Sequence, residues 1–75
     1  MNRIANRIAI DESVRFGRPA IEGTRVPVEL VVAKLGAGMS IDDVATEYEL
    51  AREDILAALA YAATVLASEQ VRAVS

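Results

Sequence analysis

Neither cysteine nor histidine occurs among the 75 residues. Their absence removes the commonest general base, the thiol nucleophile and most transition-metal ligand sets. It also rules out disulfide stapling, so the chain reads as a domain for a reducing compartment, the cytoplasm. Aromatic residues are almost missing too: Phe16, Tyr48 and Tyr61 are the full set. A core must therefore be built from Val, Ile, Leu and Ala. No apolar run approaches the roughly 18 residues of a membrane span. In Met1–Ile10, Asn6 and Arg7 interrupt the apolar character and Asp11 and Glu12 follow, so no signal-peptide core forms. These absences point to a small binding domain with no metal or cofactor, and not to an enzyme or a membrane protein.

Just over half the residues are apolar and a quarter are charged, the balance of a folded globular chain. One domain of this size buries only about 60–65% of the surface its unfolded chain exposes, so a partner chain would add needed burial. The net charge of -3 is unevenly placed. Residues 1–27 carry five arginines against three acids, and residues 28–75 carry three bases against eight acids. An acidic helical part argues against a whole-domain clamp on nucleic acid, whose affinity comes from Lys and Arg neutralising phosphates.

Residues 1–26 read as an extended, Gly- and Pro-punctuated arm. Ile4, Ile8 and Ile10 alternate in phase, which predicts a short strand over Arg3–Ile10. Asp11–Ser13 reads as a turn, and Val14–Ile21 as a returning extended segment that Pro19 confines to a sheet edge or a loop. Gly23-Thr24 makes a second turn, and Pro27 suits the first position of a helix.

Three helices should follow. Val28, Val31, Val32 and Leu35 form an amphipathic stripe that Gly36 and Gly38 would stop, placing a helix at 27–36. Ser40 with Asp43 resembles a capping box ahead of Ile41, Val44, Ala45 and Tyr48, a helix at about 41–48. Glu53 and Asp54 favour the positive end of a third helix at about 52–69, with the stripe Ile55, Leu56, Leu59, Ala62, Ala63 and Leu66. Its alanines allow close helix approach, and Tyr61, Val65 and Val71 add apolar surface off the stripe. Leu59, Ala62, Ala63, Val65 and Leu66 are thus the candidate face for self-association as a homodimer or higher oligomer. Residues 70–75 form a tail. The fold class is mainly α: a short strand or hairpin arm before a three-helix, homeodomain-like helix-turn-helix bundle.

Candidate chemistry is sparse. Ser13, Ser40, Ser68 and Ser75 sit in no nucleophile elbow. The adjacent acids Asp42/Asp43 and Glu53/Asp54 project about 100° apart on a helix and read as helix-end electrostatics. Gly36-Ala37-Gly38 lacks the length and the following Lys of a phosphate loop. Arg15, Arg18 and Arg25 stand out, because planar guanidiniums on a loop can grip a carboxylate cluster or a phosphate bidentately. The third helix also follows the second at helix-turn-helix spacing and would present Arg52, Glu53 and Asp54 to a DNA groove. Two acids there would oppose a phosphate wall, leaving Arg52 with Arg3 and Arg7 of the arm as candidate DNA contacts.

The run from Phe16 to Val28, Phe-Gly-Arg-Pro-Ala-Ile-Glu-Gly-Thr-Arg-Val-Pro-Val, resembles the signature of a bacterial and archaeal family catalogued as domain of unknown function number 433 and often called VapB-type antitoxin-like. The resemblance continues through Gly38–Val44, Tyr48 and the segment from Glu53 to Ala62, covering about residues 7–63. It implies a homeodomain-like or winged helical fold and an antitoxin of a type II toxin-antitoxin pair, partnered with a small PIN-like nuclease. On that reading an arginine, first Arg18 or Arg25, then Arg15 or Arg72, enters the nuclease's acid-lined Mg²⁺ site. The alternatives are a DNA-binding autorepressor on operator DNA, or an oligomerisation module with no nuclease partner. Two positions depart from the family pattern: Glu49 stands where Pro is frequent, and Ala51 where Ser or Thr would cap the third helix. Losing such a cap costs about 1 kcal/mol, which predicts a blurred boundary between helices two and three.

Overall fold

The computed structural model describes residues 2–10 and 17–69. Three short strands, β1 (Asn2–Ala5), β2 (Ile8–Ile10) and β3 (Pro19–Ile21), precede three helices, α1 (Val28–Gly36), α2 (Ile41–Tyr48) and α3 (Arg52–Ser68). The sheet is antiparallel in the order β1-β2-β3. The chain is therefore mainly α, with a short N-terminal sheet and a three-helix unit.

The expected single strand over Arg3–Ile10 is split in two. Ala5 pairs with Ile8 across a tight turn at Asn6–Arg7, and Arg7 adopts φ 63, a left-handed conformation uncommon for a residue with a Cβ. The register shifts between Arg3 and Ala5, so the apolar alternation is broken and Ile4 points to solvent. The returning segment appears as β3 alone among the described residues. Pro19 pairs with Ile10 on this edge strand, where a missing N–H is tolerated. The expected turn at Asp11–Ser13 and the stretch Val14–Phe16 lie outside the described residues.

Residues expected to form an arm instead supply one layer of the core. The largest fully buried side chains are Ile8, Ile21, Val31, Val44 and Ile55. Each comes from a different element, β2, β3, α1, α2 and α3, so one branched aliphatic per element meets at the centre. Val28, Leu50, Ala57 and Ala58 complete the cluster. Pro27 is the N-cap of α1, one residue earlier than the helix proper, because it also forms a bridge with Ala20 of β3. Gly38, at φ 108, ends α1, and Met39 N–H closes the turn on the Lys34 carbonyl at 3.1 Å.

The boundary between α2 and α3 is sharp, contrary to expectation. Glu49 takes φ 56 and closes α2 in the left-handed conformation, while the N–H of buried Leu50 bonds the Ala45 carbonyl at 2.9 Å. Two helix starts share the work of a capping box between them. At α2, Ser40 Oγ accepts the Asp43 N–H at 3.0 Å. At α3, the Ala51 methyl accepts nothing, but Asp54 Oδ2 accepts the Ala51 N–H at 2.9 Å, the other half of the motif.

The buried face of α3 is also rotated from the expected stripe. Ala57 and Ala58 are buried, whereas Leu56 and Leu66 are exposed and Ala63 faces solvent. The expected stripe runs through the largest apolar residues, but close packing of α3 on α1 and the hairpin leaves room only for methyl groups at 57 and 58.

Candidate functional site

Two surface features collect residues that the sequence marks. The first is the loop from Ile21 to Pro27. Gly23, at φ 81, occupies the position where a type II turn needs a positive φ, and Thr24 N–H reaches the Ile21 carbonyl at 3.0 Å. The Thr24 hydroxyl donates to the same carbonyl at 2.8 Å and accepts the Val26 N–H at 3.0 Å. Ile21 N–H bonds the Val26 carbonyl at 2.9 Å, and Glu22 N–H bonds the Arg7 carbonyl at 2.8 Å. These bonds within the turn and to the neighbouring hairpin brace the loop as a pedestal. Arg25 stands on it, exposed to solvent.

The arginines differ in what they touch. Arg7 Nη1 donates to Asp54 Oδ1 at 2.9 Å, tying the hairpin turn to the start of α3 across 47 residues of sequence. Arg18 Nη1 donates to Glu29 Oε1 at 2.7 Å. Arg3 lies 3.7 Å from Glu22, and Arg52 3.7 Å from Asp42. Among the described residues, Arg25 is the arginine with no carboxylate partner. Arg15 and Arg72, the other candidate contacts, lie outside the described residues. The three candidate DNA contacts, Arg3, Arg7 and Arg52, are each set against an acid, and Glu53 and Asp54 stand beside Arg52 at the start of α3.

The second feature is an open groove of about 460 Å³ between α1 and the C-terminal half of α3. Val28, Val32 and Ala33 form one wall, and Tyr61, Ala62, Val65 and Leu66 the other. Pro19 and the Arg18–Glu29 pair form its rim. Three of the five candidate self-association residues are brought together here, Ala62, Val65 and Leu66. Leu59 is not part of it: it packs against the domain's own core, because its direction on α3 is toward the interior cluster. Ala63 is exposed outside the groove. Tyr61, which the periodicity places off the stripe, also lines a smaller hollow of about 220 Å³ between the hairpin and α3, with Ile4, Ala5 and Ala57. No local spacing connects Arg18 with Glu29 or Arg7 with Asp54, so neither pair is visible in the sequence.

Among the described residues no side-chain charge is buried, and no group of three or more acids is placed to hold a metal ion. No helix among them is long and apolar enough to cross a membrane. The fold and its surfaces thus define a small α-rich domain that presents a braced arginine loop and an open apolar groove. The chain belongs to the family described as "Protein of unknown function (DUF433)", whose model matches residues 8–62, well over half the sequence. No curated protein and no solved structure matches it.

Proposed function

We propose that this domain is a non-catalytic, cytoplasmic antitoxin that binds and inhibits a PIN-like ribonuclease, with Arg25 as the group that meets the nuclease's acids. The observation that carries the reading is the state of Arg25: exposed, mounted on a hydrogen-bonded loop, and without an acid of its own among the described residues. A nuclease of that kind must gather carboxylates to hold hard divalent cations. A guanidinium inserted among them forms charge-assisted, bidentate hydrogen bonds, displaces the cation and blocks the substrate. The rigid loop reduces the ordering cost of that contact. Arg18 ranks below Arg25 because it must first leave Glu29.

The test is to identify the proteins encoded beside this chain and to titrate the purified chain into a small PIN-like ribonuclease found among them, with Mg²⁺ and an RNA substrate; a neighbourhood with no such nuclease would count against the reading. Arg25→Ala should weaken inhibition about 10- to 100-fold, since hydrogen bonds to charged groups contribute about 1.5–3 kcal/mol. Undiminished inhibition by that variant would remove Arg25 from the mechanism, and a wild-type chain that never inhibits would sink the antitoxin reading.

A second reading, a DNA-binding autorepressor, is favoured by one feature: α2 and α3 are joined through Glu49–Ala51 at helix-turn-helix spacing. The acids beside Arg3, Arg7 and Arg52 weigh against it. Binding to the chain's own upstream DNA without a steep dependence on salt would argue against phosphate recognition.

A further inference from the structure

We infer that Arg7 is a positioning residue for Arg25: its guanidinium is anchored on α3 so that its backbone holds the arginine loop at a fixed place on the domain. The inference rests on the reading of Arg25 as the group that meets a partner's acids. Arg7 is the second residue of the tight turn between β1 and β2, and its φ of 63 is the conformation for which glycine is the default. A residue with a Cβ bears strain there, and such strain persists where the surroundings fix the residue. The surroundings of Arg7 do so from two sides. Its Nη1 donates to Asp54 Oδ1 at 2.9 Å, and its carbonyl accepts the Glu22 N–H at 2.8 Å.

Those two bonds join separate parts of the molecule. The bonds of Thr24, and that from the Ile21 N–H to the Val26 carbonyl, close within the loop and set its shape. The Glu22 bond lies just beyond the last pair of the β2–β3 ladder, Ile8 with Ile21, and ties the loop to the hairpin turn. The guanidinium then ties that turn to α3. Asp54 is itself held, because its other oxygen accepts the Ala51 N–H at 2.9 Å, and its side chain is only 17% exposed. A line of hydrogen bonds therefore runs from the start of α3 through Arg7 to the base of the loop that carries Arg25. The two arginines divide the work. Arg7 would have to leave a carboxylate to meet a partner, whereas Arg25 has none to leave among the described residues. A loop fixed in advance loses less freedom when its guanidinium is bound.

Two variants remove the link with little other change. Arg7→Gly suits the positive φ and deletes the side chain, and Asp54→Asn keeps an acceptor for the Ala51 N–H and deletes the charge. Both should speed amide hydrogen exchange at Glu22 in the free chain, read by NMR. Both should also weaken inhibition in the nuclease titration above by up to about fivefold, the upper end for an exposed ion pair, and neither should weaken it further in an Arg25→Ala background. Ser40→Ala, which removes the cap of α2, controls for a general loss of stability and should change neither measurement. If Arg7 instead touched the partner directly, Arg7→Gly would weaken inhibition equally with and without Arg25, and Asp54→Asn would strengthen it by freeing a cation. That pattern, or unchanged Glu22 exchange in both variants, would overturn the inference. A wild-type chain that does not inhibit removes the antitoxin reading, while the exchange measurement still decides whether Arg7 holds the loop.

Discussion

The two halves of α3 are both rich in apolar residues and have different fates. Residues 52–59 include Ile55, Ala57 and Ala58, all buried, and Asp54, held by Arg7 of the hairpin and bonded to the Ala51 N–H. Residues 60–68 have no fully buried side chain and end on exposed Leu66, Ala67 and Ser68. Alanine propensity helps sustain the helix through both halves, but tertiary packing is complete only in the first, the second contributing half-buried Tyr61, Ala62 and Val65. Helix formation and core membership are therefore separate properties of the same element. The second half is a helix without full cover, which is why the groove lies there.

The contrast sets an order of expected effects. Ile55→Ala removes a fully buried branched side chain and should cost about 2–5 kcal/mol in chemical denaturation, whereas Leu66→Ala, measured at concentrations where the chain is monomeric, should stay within about 0.5 kcal/mol. Equal losses at the two sites would erase the comparison. Asp54→Ala breaks the ion pair to Arg7 and the bond to the Ala51 N–H together, and should cost about 1–2 kcal/mol. Arg7→Ala should cost less, since its side chain is 42% exposed and solvent screens the pair. A double-mutant cycle between the two positions measures the link itself, and additive losses would show that the hairpin is not tied to α3 through them.

The smallest expected effects are gains at the turn that starts the anchored half. Ala51→Ser places an acceptor at an N-cap of already suitable backbone, φ -78 and ψ 154, and should add up to about 1 kcal/mol. Glu49→Gly relieves a left-handed residue at φ 56 and should stabilise by roughly 0.5–1 kcal/mol. Thermal melts of both variants check this, and an unchanged midpoint would mean that Leu50 and Asp54 already fix the turn without strain.

Features carried by near neighbours are legible in the sequence. Ser40 ahead of Asp43 marks the start of α2, Gly38 the end of α1, and the apolar spacing places all three helices within a residue or so of their observed ends. Where local spacing is read as burial, it misleads: the stripe through Leu56 and Ala63 faces solvent, while Ala57 and Ala58 face the core. Apolar size suggests the stripe, and proximity of neighbouring elements decides it. The candidate groove is half legible, through Ala62, Val65 and Leu66; its other wall on α1 and its charged rim are not.

The amino-acid order thus dictates what depends on hydrogen bonds and torsions a few residues apart: helix starts and stops, the turn at Gly23-Thr24, the edge position of Pro19, and a chemistry without thiol or imidazole. Folding in three dimensions settles which arginine is left without a carboxylate among the described residues, and makes the expected arm a layer of the core. Arg7 meets Asp54 across 47 residues and Arg18 meets Glu29 across 11. No periodicity encodes such pairs. They arise because the sheet and the helices bury branched aliphatics at a shared centre, and that packing sets which charged side chains come within reach of one another.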